Sequence, residues 1–199
     1  MERYSRGTIV NLGCGLDTTF ERVDNGRLRW YDLDLPDVIA LRKRFIQESD
    51  RRRFISSSFL EAGWLDDIVV EGQVLFIAAG VFYYFTEPEI RGFLSRIADR
   101  FPGCQAVFDV ASPMGVSTAN RMVIRTGGLD ERSYLTWALK SPQAISAWDE
   151  RFRIVALFTY FGEQAAALPL TTRLVGKFSD FMKMQYMIHL EMSGPGASA

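Results

Sequence analysis

The 199-residue sequence has one histidine, two cysteines and almost no net charge, and each shortage excludes a class of function. His189 alone supplies too few ligands for a zinc site and leaves most nucleophilic triads without a base. The pair Cys14 and Cys104 cannot form a disulfide framework. A formal net charge of -1 creates no field that would attract nucleic acid or an anionic membrane. We therefore expect neither nucleic acid nor membrane as a partner.

Long apolar runs are also missing. The longest, such as residues 74–80, fall far short of the roughly 20 residues that cross a bilayer. No basic segment followed by an apolar one comes after Met1, as a secretory leader would require, so we expect a cytoplasmic protein. Since 48% of the residues are hydrophobic, we expect a single domain over residues 1–192, with a disordered tail of small residues at 193–199.

The hydrophobic pattern alternates between two periods. Runs rich in β-branched and aromatic residues predict about seven strands. The unbroken run at 74–79 is typical of a parallel strand covered on both faces. Residues 87–101 instead carry one apolar stripe at helical spacing, and Thr86 and Glu89 fit a capping box before it. The predicted fold is α/β: a Rossmann-like, mostly parallel sheet with helices on both faces. The predicted strands lie at 8–12, 28–33, 54–56, 74–79, 106–110, 154–160 and 185–192.

Further helices are expected between the strands. Thr18 and Glu21 have the spacing of a second capping box. Another helix should begin at Pro36, with its apolar residues facing inward and its basic residues facing solvent. Two more are expected at 118–125 and 143–151, and residues 111–150 are a candidate substrate lid over the strand ends. The residues expected inward after Pro36 are Val38, Leu41 and Phe45; those expected outward are Arg42, Lys43 and Arg44.

A glycine turn follows the first strand. Gly13 and Gly15 would let the backbone turn tightly and approach a ligand, although an ordinary strand-to-helix turn has the same pattern. A dinucleotide fingerprint would place a third glycine at position 18, where this chain has Thr18. The pattern therefore favours a nucleoside ligand without pyrophosphate over NAD or FAD.

An acidic residue at the end of the second strand completes such a site. A carboxylate there can accept hydrogen bonds from both ribose hydroxyls. Asp34 stands at the predicted tip of the strand, and Asp32 lies two residues earlier on the same face. We favour Asp34; the alternative is that either aspartate caps the following helix.

Four blocks in the first half, at 10–18, 30–39, 56–64 and 79–85, together resemble the leucine carboxyl methyltransferase family. The similarity is strongest to its bacterial branch of polyketide-synthesis O-methyltransferases. The resemblance implies a class I fold, S-adenosylmethionine as cofactor, and a small-molecule phenol or carboxylate, such as a polyketide, as methyl acceptor. It leaves a homo-oligomer open.

The resemblance also implies roles for individual residues. The glycine loop would lie against the methionine part of the cofactor, Asp34 would hold the ribose, and Leu35 would pack on the adenine. Tyr84 would face the reaction centre or simply pack among aromatics. Asp109 would act as a base or bind the amides of the loop that follows it. The implied cofactor residues are Gly13, Cys14, Gly15, Asp34, Leu35, Ser58, Phe59 and Ala79.

The sequence departs from the family pattern in several places. Ser58 and Ala79 stand where many members have carboxylates, and Thr19 replaces an arginine. The first strand is predicted close to Met1, so we expect the helices that members carry before it to be missing. Arg3 or Arg6 would then supply their basic residue or simply be solvent-exposed terminal residues. An inactive or truncated nucleoside-binding domain of the same fold is therefore the alternative. His189 is expected to be structural, and four aromatics could line an acceptor pocket or belong to the core: Trp137, Trp148, Phe158 and Phe161.

Overall fold

A computed structural model describes residues 5–130, 133–162 and 169–194. These residues form a seven-stranded sheet with the order β3-β2-β1-β4-β5-β7-β6. The first five strands run parallel, and β7 lies antiparallel between β5 and β6. The predicted α/β sheet of about seven mostly parallel strands is confirmed. The strands are β1 (Gly7–Leu12), β2 (Leu28–Asp34), β3 (Arg52–Ser56), β4 (Gln73–Ala78), β5 (Gln105–Ala111), β6 (Phe152–Thr159) and β7 (Gln185–Met192).

Helices and turns connect these strands. Short 3₁₀ turns at Gly63–Asp67 and Phe82–Tyr84 flank β4, and a π-helical segment at Ala119–Arg125 continues the fourth helix. The last helix was not predicted, since Thr171, Thr172 and Gly176 are weak helix formers. Among the described residues, no helix is both long and apolar enough to span a bilayer. The α-helices are α1 (Thr19–Val23), α2 (Pro36–Arg42), α3 (Glu87–Arg100), α4 (Pro113–Thr118), α5 (Gln143–Ser146) and α6 (Leu170–Phe181).

The core lies on both faces of the central strands. On one face, the apolar stripe of α3 is buried against alternate residues of β1, β4 and β5. A smaller cluster around Trp30 and Leu75 covers the other face, with Phe20 of α1 packed edge-on against Trp30. The capping box before α3 is formed, because the Thr86 N–H donates to Glu89 Oε2 at 2.8 Å. This packing fixes the carboxyl ends of the strands at one edge of the sheet.

The predicted capping box at α1 is wrong. The Thr18 side chain makes no capping hydrogen bond. Asp17 takes its place, since its Oδ1 accepts the Thr19 N–H at 2.9 Å. Glu21 is used elsewhere, in an ion pair with Arg52 of β3. The glutamate is therefore engaged by an arginine from a distant strand that local spacing cannot reveal.

The predicted faces of α2 are partly wrong: Lys43 and Arg44 are exposed as expected and Val38 is half-buried, but three other residues are reversed. Arg42 is completely buried, whereas Leu41 and Phe45 are exposed. The helix ends at Arg42, so Phe45 lies in the turn beyond it. Arg42 points inward because Asp32 of β2 is buried there and requires a counter-charge, with Nη2 of Arg42 lying 2.9 Å from Asp32 Oδ2.

The segment between β5 and β6 packs across strand ends, where a lid was expected. Its helices differ from the prediction: α4 begins at Pro113, and α5 covers only four residues. The Leu139 N–H donates to the Ala111 carbonyl at 2.9 Å, and the Trp137 N–H to the Tyr83 carbonyl at 3.0 Å. Trp137 and Trp148 are core residues, which agrees with the structural alternative for them.

The predicted tail falls mostly outside the described residues. Only Ser193 and Gly194 of residues 193–199 are described, and the Ser193 N–H donates to the Arg151 carbonyl at 3.1 Å. Arg3 also lies outside the described residues. Arg6 is described and pairs with Glu71 at 3.4 Å, at the amino end of β1.

Candidate cofactor site

A cavity of about 270 Å³ opens at the carboxyl ends of β1 to β4. This is the edge at which open α/β sheets bind their ligands, and the volume lies near the lower end of the roughly 300–1,000 Å³ of ligand pockets. Its walls are mostly apolar, and the only carboxylate among the lining residues is that of Asp34. The lining residues are Gly13, Leu33, Asp34, Leu35, Ser57, Ser58, Phe59, Gly80, Val81, Tyr84 and Phe85.

The glycine loop requires glycine at its first position for two reasons. Gly13 has φ +58°, in the left-handed region that other residues rarely adopt. A Cβ built at Gly13 would also lie only 2.5 Å from Val81 Cγ2 on the opposite wall. Val81 can therefore pack directly on the Gly13 backbone only because residue 13 has no side chain. A cavity wall of this kind fits a ligand that must approach the backbone closely.

Asp34 is held in a fixed orientation at the tip of β2. Its Oδ2 accepts the Gly15 N–H at 2.7 Å, and its Oδ1 accepts the Leu35 N–H at 2.8 Å. Each carboxylate oxygen has a second lone pair, so each can still accept a hydrogen bond from a hydroxyl group of a ligand. Helix α2 has no side-chain cap, so the capping alternative does not describe Asp34. The residues present thus fit a ribose diol.

Asp32 has a different environment. It is completely buried and does not line the cavity. Nε of Arg52 donates to its Oδ2 at 2.7 Å, and Nε1 of Trp30 donates to its Oδ1 at 2.8 Å. Together with Arg42, these partners make Asp32 the centre of a buried network beneath the loop. Of the two candidate aspartates, only Asp34 faces the cavity.

Arg42 connects that network to the glycine loop. Its Nη1 donates to the Gly15 carbonyl at 2.7 Å, and its Nη2 donates to the Asp17 carbonyl at 2.8 Å. Arg42 thus binds the carbonyl groups of the loop, while the Gly15 N–H of the same loop donates to Asp34. This role of Arg42 could not be predicted from the sequence, since the basic run 42–44 carries no signal that distinguishes its first member.

The remaining predicted cofactor residues divide into two groups. Leu35, Ser58 and Phe59 line the cavity, and Ser58 Oγ accepts the Leu60 N–H at 3.3 Å. Cys14, Gly15 and Ala79 do not line it. Cys14 is buried, and burial raises the pKa of its thiol to about 12.

Residues next to Ala79 take the place expected for it. Gly80 and Val81 line the cavity, as does Phe85. All three belong to the block 79–85 that carried the family resemblance, and Gly80 directly follows the strand's apolar run. That position could have been found as the turn after β4.

Tyr84 lines the cavity and is about half exposed. The 3₁₀ turn Phe82–Tyr84 produces this arrangement, because it buries Phe82 and Tyr83 and leaves Tyr84 at the rim. The phenol hydroxyl of Tyr84 can both donate and accept a hydrogen bond. The position therefore allows contact with a second ligand beside the cavity.

Asp109 lies behind the cavity wall. It is 3% exposed and is absent from the lining. Its Oδ1 accepts the Gly80 N–H at 2.8 Å, and its Oδ2 accepts the Tyr160 O–H at 2.8 Å. The amide that it binds thus belongs to the turn after β4, and not to the loop following β5 as the sequence suggested.

Two tyrosines share this environment. Burial and the nearby charge of Asp109 raise the pKa of Tyr83 and of Tyr160 above the usual range of a phenol. Nε2 of Gln185 donates to the Tyr83 hydroxyl at 3.0 Å. His189 lies elsewhere, 2.6 Å from Gln105 Oε1 at the amino end of β5, as expected for a structural histidine.

The order of the strands and the position of the cavity define a class of protein. A seven-stranded sheet in which an antiparallel β7 lies between β5 and β6, with a glycine loop after β1 and an acidic residue at the tip of β2, is the fold of class I S-adenosylmethionine-dependent methyltransferases. Within that class, residues 4–98 match the family model for leucine carboxyl methyltransferase. This match spans a little under half of the chain and confirms the predicted resemblance to the leucine carboxyl methyltransferase family.

Two curated relatives agree with this resemblance. The chain is 29% identical over 141 residues to the tetracenomycin polyketide synthesis O-methyltransferase TcmP of Streptomyces glaucescens. It is 32% identical over 103 residues to the S-adenosyl-L-methionine-dependent methyltransferase dpfgK of Gibberella zeae. The matches cover 70% and 47% of this chain but only 51% and 34% of the relatives. The chain thus spans about half the length of the first relative and a third of the second.

Solved structures show the same fold at low sequence identity. N-methyltransferase NodS from Bradyrhizobium japonicum superposes with a TM-score of 0.53 at 14% identity, covering 94% of this chain and 87% of NodS. Human N-acetylserotonin methyltransferase, solved in complex with SAM, gives a TM-score of 0.59 at 14% identity, covering 96% of this chain and 49% of that enzyme. The cofactor predicted from the sequence is the one bound in that neighbour.

Proposed function

We propose that this chain binds S-adenosylmethionine in the cavity at the carboxyl ends of β1 to β4 and transfers its methyl group to an oxygen of a small molecule. The observation that carries the proposal is the meeting of the glycine loop and Asp34 in one mostly apolar cavity. The O-methyltransferase relative supports an oxygen acceptor, either a phenol or a carboxylate, and a polyketide as its source.

The cavity suits the nucleoside part of this cofactor. Asp34 accepts hydrogen bonds from the ribose hydroxyls, while Leu35 and Phe59 supply apolar surface for the adenine and Ser58 a hydroxyl beside it. The loop at Gly13 lies against the methionine part, where a side chain would collide with Val81. Thr18 in place of a third glycine disfavours a dinucleotide.

When bound, the cofactor supplies a methyl group on a positively charged sulfur, and the chain has to align the acceptor and exclude water. A carboxylate acceptor is already ionised at neutral pH, whereas a phenol with a pKa of about 10 gains from a hydrogen-bond acceptor. Tyr84 is placed at the rim to orient either group. The apolar wall of Val81 and Phe85 excludes water beside it.

Binding without methyl transfer is the second candidate. The observation behind it is the lack of carboxylates at Ser58 and Ala79, which leaves Asp34 as the only acid in the lining. Because the chain spans only part of its relatives, the activity of the whole relatives does not decide between the two.

Calorimetric titration with S-adenosylhomocysteine tests the proposed site, with NAD as the comparison ligand. We expect micromolar binding of the first and none of the second. Asp34→Ala should weaken binding by roughly 10- to 100-fold, the range for hydrogen bonds to a charged group. Asp50→Ala is the matched control, because Asp50 is an exposed aspartate in the turn before β3.

The outcomes separate the candidates. Equal affinity of the wild type and Asp34→Ala would refute the ribose assignment. Once binding is established, transfer of a labelled methyl group to panels of phenols and carboxylic acids supports the enzyme. Binding with no transfer to any member of both panels would favour the inactive nucleoside-binding domain.

A further inference from the structure

We propose that Asp109 is a positioning residue that ties the cofactor-side turn at Gly80 to the end of β6, and that it is not a general base. The inference concerns hydrogen bonds within the free protein. Only its consequence for cofactor affinity rests on the proposed function.

The surroundings of Asp109 do not suit a base. A general base must come within hydrogen-bond reach of the proton that it removes. Asp109 is 3% exposed, lies outside the cavity lining, and has one donor on each carboxylate oxygen. Both of these donors belong to the protein. The carboxylate is therefore occupied in joining two segments that are 80 residues apart in the chain.

The first of these segments forms a wall of the cofactor cavity. Gly80 has φ +73° and lines the cavity, and its N–H points to Asp109 on the β5 side of β4. In a trans peptide the preceding carbonyl points in the opposite direction. The Ala79 carbonyl is thereby directed away from Asp109, to the side of β4 on which β1 and its glycine loop lie. A fixed backbone acceptor there suits the ammonium group of an amino-acid ligand, which gives Ala79 a role that its side chain cannot have.

The second segment forms the wall of another cavity. Tyr160 directly follows β6 and is partly exposed, in a cavity of about 590 Å³ that also contains Phe158, Phe161 and Met187. A phenol is protonated over the whole neutral range, so the Tyr160 hydroxyl can donate to Asp109 there, and the raised pKa of Tyr160 extends this range to alkaline pH. A displacement of Tyr160 is therefore transmitted through one carboxylate to the Gly80 turn.

Amide hydrogen exchange of Gly80 in the ligand-free protein tests the connection directly. In Asp109→Asn the acceptor is a neutral amide, and we expect Gly80 to exchange on the order of tenfold faster than in the wild type. In Tyr160→Phe, where Asp109 keeps its charge but loses one donor, a smaller increase is expected. Asp50→Asn and Tyr186→Phe are the controls, since the first makes the same charge change at an exposed site and the second removes a different buried phenol hydroxyl.

Unchanged Gly80 exchange in both test variants would overturn the proposal. So would an equal acceleration in the controls, because it would show a general loosening of the fold. Tyr160→Phe preserves the carboxylate, so the connection can be tested even if Asp109→Asn does not fold.

Two further measurements separate a positioning role from catalysis. If Asp109 is a positioning residue, Asp109→Asn should weaken the binding of S-adenosylhomocysteine and leave the shape of the pH–rate profile unchanged. A base should instead reduce kcat/KM by roughly 10²- to 10⁴-fold and remove the ionisation from the profile, with the affinity unchanged. If the wild type does not bind S-adenosylhomocysteine, the proposed function fails, while Gly80 exchange still decides whether the connection exists.

Discussion

Two separate features of the structure require glycine at position 13: the backbone conformation and the close contact with Val81. The positive φ of Gly13 is a property of the chain itself, whereas the nearby Val81 is contributed by the turn after β4. The two effects can be separated experimentally, because Gly26 has a similar φ of +78° and nothing within 4 Å of the position that an added Cβ would take.

Gly13→Ala should therefore destabilise the protein more than Gly26→Ala. A left-handed backbone conformation costs an alanine about 1–2 kcal/mol, and this cost lowers the stability of both variants. Only in Gly13→Ala does the added Cβ also collide with Val81. Urea unfolding at neutral pH measures the difference. Gly13→Ala should also reduce binding of S-adenosylhomocysteine. Equal losses of stability in the two variants would show that the Val81 wall moves aside without cost.

For single residues, the sequence predicted where a side chain lies better than it predicted which side chain it pairs with. Asp34 could be chosen because a strand tip is visible in the pattern, and it does face the cavity. The burial of Asp32 and the inward direction of Arg42 could not be seen, because each depends on a charge from another element. Asp109 has the same limitation, since its partner Tyr160 is distant in the chain.

The elements β2, α2, β3 and the glycine loop form one unit around Asp32. Two guanidinium groups, from Arg42 and Arg52, meet its carboxylate with almost no exposure to water. The same Arg42 holds the carbonyls of the loop. The position of the cofactor loop and the stability of this half of the sheet thus depend on the same buried ions.

Asp32→Asn should destabilise the protein by about 3–5 kcal/mol, because it leaves two buried guanidinium groups without their shared counter-ion. The matched control is Asp66→Asn, which breaks the exposed pair with Arg100 and should cost less than about 1 kcal/mol. Urea unfolding of both variants gives the comparison. A loss in Asp32→Asn no larger than in the control would mean that solvent reaches the network.

Elements with a complete local signal were predicted best. Helix α3 and strand β4 show their period within their own residues, and both have nearly the predicted bounds. Helix α6 has the opposite character. Gly176 faces the protein, where an added Cβ would lie 2.6 Å from the Phe161 ring, while Leu174 and Phe178 face solvent. Neither its composition nor its orientation follows the usual rule for an amphipathic helix.

For the whole molecule, the mostly parallel α/β architecture was predictable because few topologies satisfy right-handed crossovers with both sheet faces covered. The chemistry of the interior was less so. The fold removes from water, wholly or in part, a set of groups that ionise at alkaline pH: Cys14, Cys104, Tyr83, Tyr160 and Tyr186. For Cys14, Cys104 and Tyr186 burial raises the pKa to about 12, and for Tyr83 and Tyr160 the direction is the same.

These groups predict a loss of stability at high pH. In the unfolded chain, cysteine and tyrosine ionise at about pH 8.5 and 10, whereas the folded protein retains the protons. The folded state then binds more protons than the unfolded state, so the free energy of unfolding falls as pH rises. The contribution is complete below about pH 8 and decreases through the window up to the raised pKa values, by up to about 1.4 kcal/mol per pH unit for each buried group. Tyr160 contributes less, because it is 43% exposed and solvent screens its interaction with Asp109.

Urea unfolding from neutral pH to about pH 11 measures this slope, and the ultraviolet absorbance of tyrosinate reports how many phenols have ionised. We expect Tyr83, Tyr160 and Tyr186 to ionise above the usual pH range of a phenol, together with unfolding. Tyr186→Phe should reduce the slope by the share of one group. The pH prediction would be wrong if Tyr83, Tyr160 and Tyr186 ionised reversibly at about pH 10 in a protein that remained folded. Water would then have to reach Tyr160 and Asp109 freely, and the connection between the Gly80 turn and β6 would fail as well.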